Sequence, residues 1–134
     1  NMESIVNTLI YLGSGLIILL IGFLAFTFTT KMSEQKLILE DGNIAVALKL
    51  AGKLVGLVIV IMSAAKYSVD FTDFVIWSLI GVVAQMITYW IAEFLLFPKI
   101  SFAKKVEEGN IAVAVLLFTL SVTVGLLISG SISY

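Results

Sequence analysis

An all-α polytopic membrane protein with four transmembrane helices is predicted by three observations. Hydrophobic residues make up 60% of the 134 residues, charged residues only 13%, and the apolar residues gather into four long runs. Soluble domains average roughly 45–50% apolar and about 25% charged residues, so a soluble core could not hide this much apolar surface. Each run reaches the ~20 residues that cross a hydrocarbon layer about 30 Å thick.

The first run, about Ser4 to Phe28, lacks a basic leader and a convincing cleavage site and is too long for a signal peptide. It is expected to stay as a membrane helix, with Asn1 ahead of Met2 set aside as an addition. The second run, Ile44 to Ala65, follows an acidic, glycine-containing linker. The third, Phe74 to Phe97, ends at Pro98, the sole proline, whose ring cannot continue a helix. The fourth is Ile111 to Ser131.

The phrase Glu40-Asp41-Gly42-Asn43-Ile44-Ala45-Val46-Ala47 returns as Glu107-Glu108-Gly109-Asn110-Ile111-Ala112-Val113-Ala114, 67 residues later and half the chain length apart. A tandem duplication is therefore expected, with repeats 1–67 and 68–134 forming one integral-membrane domain. Each repeat crosses twice, so the two enter the membrane the same way round, as parallel repeats.

Lysines orient the chain, since it holds no arginine. Lys31, Lys36, Lys99, Lys104 and Lys105 lie in the two long linkers, against Lys66 with Glu3, Asp70 and Asp73 on the other side. The positive-inside rule places both linkers in the cytoplasm and both termini outside. Trp77 and Tyr134 fit an outer aromatic belt, whereas Trp90 lies deeper and calls for a protein neighbour. A net charge of -1 gives no case for nucleic acid.

Within the linkers, Asp41, Asn43, Glu108 and Asn110 read as helix caps, since an acceptor at a helix start satisfies N–H groups that lack partners. The alternative is a negatively charged docking face or cation-attracting vestibule. Small residues at Gly52 and Gly56, and at Ser121, Gly125 and Ser129, mark faces where helices approach closely.

Charges inside the spans are the sharper signal. Lys49 and Lys53 stand one turn apart, about 8 and 14 Å along the second helix. Gln85, Thr88 and Glu93 are grouped with them as a candidate intramembrane polar site, with Glu93 expected to pair with one lysine. The matching positions of the other repeat are apolar: Leu116, Leu120 and Phe26. Two readings stand: an ion conduit, or a structural ion pair that fixes helix register. Cysteine and histidine are absent, which removes thiolate and imidazole chemistry. No catalytic residue, metal site or cofactor is predicted.

The acidic linker, the Asn-x-Ala-x-Ala entry to the next helix and the small residues beyond it resemble the domain-of-unknown-function 350 family over essentially the whole chain. Asn43, Ala45, Ala47, Gly52 and Gly56 match its pattern in the first repeat, and Asn110, Ala112 and Ala114 in the second. Thr119 and Thr123 depart from it, standing where the first repeat has glycines. The resemblance implies a small four-helix bacterial inner-membrane protein, encoded in some members near envelope-stress or flotillin-type scaffold genes. It carries over no catalytic residue. The function expected is a non-enzymatic membrane component, homo-oligomeric or bound at its cytoplasmic linkers to a scaffold or envelope-stress partner, in envelope maintenance. The alternative is a small ion or proton channel or transporter subunit using Lys49, Lys53 and Glu93.

Overall fold

The computed structural model describes residues 1–28, 33–96, 98–99 and 101–132. Lys31, Phe97 and Tyr134 lie outside the described residues. There are four long helices, α1 (Met2–Phe28), α3 (Ile44–Tyr67), α4 (Phe71–Leu96) and α6 (Ile111–Ile132), with a short helix α2 (Glu34–Leu39) between α1 and α3 and another, α5 (Phe102–Glu107), between α4 and α6. Among the described residues, these four long helices are apolar enough to cross a membrane. The long linkers are thus not plain loops: each contains a six-residue helix that the sequence reading did not anticipate.

The repeated phrase has a specific geometry. In the first linker α2 closes with bonds from the Glu40 and Asp41 N–H groups to the Lys36 carbonyl, and Asn43 N–H donates to Leu37. Gly42 supplies the left-handed turn at φ 63°, and Gly109 does so at φ 89° in the second linker. A residue with a Cβ adopts such angles only at a cost. Asn43 and Asn110 then cap the long helices, accepting from the N–H groups of Val46 and Val113, both at 3.1 Å. Asp41 and Glu108, grouped with them as caps, instead stand exposed where the short helices end. At the opposite end of the bundle Asp70 accepts from the N–H of Asp73, whose carboxylate accepts from Val69. This closes the α3–α4 turn.

Helix α3 is the hub. Half of its most apolar stretch is buried, against 17% for α1, which stands at the periphery. It packs most extensively on α6 and next on α4, while α1 leans on α3 and α4. Glycine makes the α3–α6 contact close. A Cβ built on Gly52 would fall 2.6 Å from the Cα of Phe118, and one on Gly125 would fall 2.7 Å from the carbonyl oxygen of Gly56. Ser63 adds a bond from its hydroxyl to the Ser129 carbonyl at 3.0 Å. At the linker end, the Asn43 amide also donates to the carbonyls of Val106 and Glu107, at 3.4 and 3.0 Å. One residue therefore caps α3 and ties it to the end of α5. Trp77 packs half-buried against the core, and Trp90 is exposed rather than enclosed by protein.

Candidate functional site

Lys49 and Lys53 follow one another by a single turn on the buried side of α3, only 6% and 5% exposed. An isolated charge at mid-bilayer costs about 2.5–3.5 kcal/mol on insertion scales, so each ammonium needs compensation. For Lys53 it is partly aromatic. Its Nζ lies 4.5 Å from the ring centre of Phe26, at the end of α1, and 5.3 Å from that of Tyr89 on α4. These rings meet edge to face, 6.0 Å apart at 89°. A cation against an aromatic face gains ~0.5–1 kcal/mol when exposed and about 2 when desolvated. Two rings thus offset much of the burial cost.

Carboxylates on two elements other than α3 add opposing charge. Glu34 reaches the cluster from α2 and is itself buried, and Glu93 reaches it half-buried from α4. Both acids are coupled electrostatically to both lysines. The Tyr89 hydroxyl sits beside Glu93 but makes no hydrogen bond of good geometry.

One level deeper, Gln85 is fully buried and its amide donates to the Ser121 carbonyl at 3.0 Å. That amide nitrogen fills the space over Gly56, where a Cβ would collide with it. Thr88 is not part of the cluster: it is exposed on the outer side of α4. At 100° per residue it stands about 140° around the helix from Glu93, while Tyr89 stands about 40° from both Glu93 and Gln85. The cluster therefore gathers Glu34, Glu93, Phe26 and Tyr89 around Lys49 and Lys53, with Gln85 one turn further along α4. Glu34 had a weak signal in the sequence, an acid one turn before the apolar pair Leu37 and Ile38 on a short amphipathic stretch. Phe26 had none beyond standing where the other repeat has Glu93.

Such a set of two cations, two anions and flanking neutral polar groups can exchange protons or hold a small ion's charge inside the bilayer. Comparison with known proteins bears on the family. The model named Domain of Unknown Function (DUF350) matches residues 1–132. The UPF0719 transmembrane protein YshE of Bacillus subtilis (strain 168) is 29% identical over 94 residues, which is 70% of this chain and 69% of the relative. A UPF0719 transmembrane protein of Aquifex aeolicus (strain VF5) is 26% identical over 120 residues, 85% of this chain but 44% of that longer protein. No solved structure matches the chain. With its family model matched over nearly its whole length, the chain belongs to the DUF350 family and is a multi-pass integral membrane protein with four candidate spans.

Proposed function

We propose that this protein is a non-enzymatic component of the bacterial inner membrane that handles protons or small ions at the Lys49–Lys53 cluster, as a small channel or transporter subunit. One observation carries the reading: two lysines, each 6% exposed or less, are buried within the electrostatic reach of acids on two separate elements, Glu34 of α2 and Glu93 of α4. A pair that only fixes helix register needs one acid on one neighbour. Here a linker helix and a membrane helix each place a carboxylate near enough to act electrostatically on both lysines. The lysine distribution supports a cytoplasmic location for α2 and α5. Recurrence of the same glycine turn and asparagine cap supports two parallel repeats.

The test is reconstitution of the purified protein in liposomes, measuring proton, potassium and sodium flux for the wild type, Glu93→Gln and Lys53→Met. Ion handling predicts wild-type flux above empty vesicles that both substitutions alter. Absence of flux at either polarity of applied potential would sink it.

A second reading is favoured by a different observation. Helix α4 covers α3, but α1 hardly touches α6, and Leu116, Thr119, Thr123 and Leu127 form an exposed stripe on α6. In this reading the protein is a homo-oligomeric or partner-bound component of envelope maintenance, and a second chain covers that stripe. The chain has no cysteine, so Thr123→Cys gives a clean cross-linking probe. Failure of that residue to cross-link between chains in native membranes would count against self-association through α6.

A further inference from the structure

Five buried side-chain polar atoms lack a hydrogen-bond partner among the described residues: Glu34 Oε2, Tyr89 Oη, Gln85 Oε1, Ser121 Oγ and Ser78 Oγ. Such orphans are rare in folded proteins. These are not scattered. Three of them, on Ser78, Gln85 and Tyr89, lie at intervals of seven and four residues on α4, and Glu93 follows four residues further on, which keeps all four side chains on one helix face. Depth can be counted along α3 at 1.5 Å per residue from Ile44. Lys49 lies at about 8 Å, Lys53 at about 14 Å, Gly56 opposite Gln85 and Ser121 at about 18 Å, and Ser63 opposite Ser129 at about 28 Å. Between the last two levels, at about 24 Å, the row is interrupted. There the Val60 side chain fills the space over Gly81, joined by Ile132 Cδ1 at 3.4 Å from a Cβ built on that glycine.

The tightness of packing along the row decides what can move along it. At the Gly56 level even a methyl group would strike the Gln85 amide and come within 2.6 Å of the Ser121 carbonyl oxygen. No hydrated metal ion fits through. A proton needs only donors and acceptors linked by single waters, and buried polar groups short of partners are where such waters are held. We propose that the row from Glu93 through Tyr89 to Gln85 and Ser121 carries protons, and that the Val60–Gly81–Ile132 layer sets its barrier.

A proton taken up from water by the Glu93 carboxylate passes to the Tyr89 oxygen as that hydroxyl releases its own proton to the next water. It then moves past Gln85 and the Ser121 hydroxyl toward Ser78, and each group ends as it began. The titratable groups facing the row are Lys49, Lys53, Glu34, Glu93 and Tyr89, and the two carboxylates balance the two ammonium groups.

This inference deepens the ion-handling reading and rests on it; the test separates the two. Val60→Thr, nearly the same size, puts a hydroxyl into the apolar layer, with Val60→Leu as the apolar control. In liposomes under a pH gradient, Val60→Thr is expected to raise proton flux severalfold over wild type, and Val60→Leu to leave it equal or lower. Adding Gln85→Leu to Val60→Thr is expected to return flux to the empty-vesicle level. Potassium flux is expected to stay at background throughout. Elution as one sharp peak and an unchanged helical circular dichroism spectrum identify variants that fold. If Glu93→Gln alters ion flux while folded Val60→Thr leaves proton flux unchanged, the proton row is overturned and the ion-handling reading stands. If no variant passes protons or other ions, both are overturned.

Discussion

Gly52→Ala tests whether the α3–α6 contact is as close as the backbone geometry implies. A methyl at position 52 would lie 2.6 Å from Phe118 Cα, 3.1 Å from its carbonyl oxygen and 3.2 Å from its Cβ. Non-bonded carbons settle at about 3.5–4.0 Å, so the helices must part by roughly 1 Å at this level. A gap of 0.5–1 Å forfeits about a quarter to a half of each dispersion well it opens, and overpacking of this kind costs about 1–3 kcal/mol. Alanine also favours the helix over glycine by about 0.8–1 kcal/mol, which works the other way. Gly13 isolates that second effect, because a Cβ built there meets nothing within 4 Å. Reversible unfolding in mixed micelles should therefore show Gly52→Ala less stable than Gly13→Ala by about 1–3 kcal/mol. Equal stability of the two variants would refute the claim that backbone contact at Gly52 holds α3 to α6.

Asn43→Ala removes both a helix cap and the link to the Val106 and Glu107 carbonyls, whereas Asn110→Ala removes the cap bond to Val113. Both should destabilise by about 1 kcal/mol, with Asn43→Ala the larger, and hydrogen exchange at the Val46 and Val113 amides should show the loss locally. Phe26→Leu takes one ring from Lys53 and should cost about 1–2 kcal/mol, less once Lys53→Met is also present. A double-mutant cycle measures that difference, and additivity of the two changes would rule out the cation–ring contact as its source.

The spans were legible because a bilayer demands long apolar runs, and nothing else in the chain competes with that signal. The asparagine caps were legible for a similar reason, since an acceptor before an apolar run has few other uses. Short helices α2 and α5 were not, because six residues hold less than two turns of periodicity and such helices gain their stability from docking. Glu34 was hidden by its place in a linker, where a carboxylate is ordinarily solvated; only the packing of α2 onto α3 buries it. Thr88 was grouped on the polar side of α4 with Gln85 and Glu93, but its angle around the helix sets it about 140° from Glu93, and it is exposed. Phe26 looked like the apolar substitute for Glu93, yet its ring lies against Lys53, one of the two lysines on which Glu93 acts.

Burial of Glu34 also bears on how the chain enters the bilayer. Helices are made in order, and α3 is complete before α4 and α6, its two most extensive neighbours, exist. At that stage Lys49 and Lys53 have neither Glu93 nor Tyr89 beside them, and each stands to incur the ~2.5–3.5 kcal/mol of an uncompensated insertion. Glu34 and Phe26 precede both lysines in the chain and belong to the same first hairpin. The nascent α1–α3 hairpin thus carries its own counter-charge and its own aromatic shield, and the second half of the protein arrives to a lysine pair that is already partly neutralised.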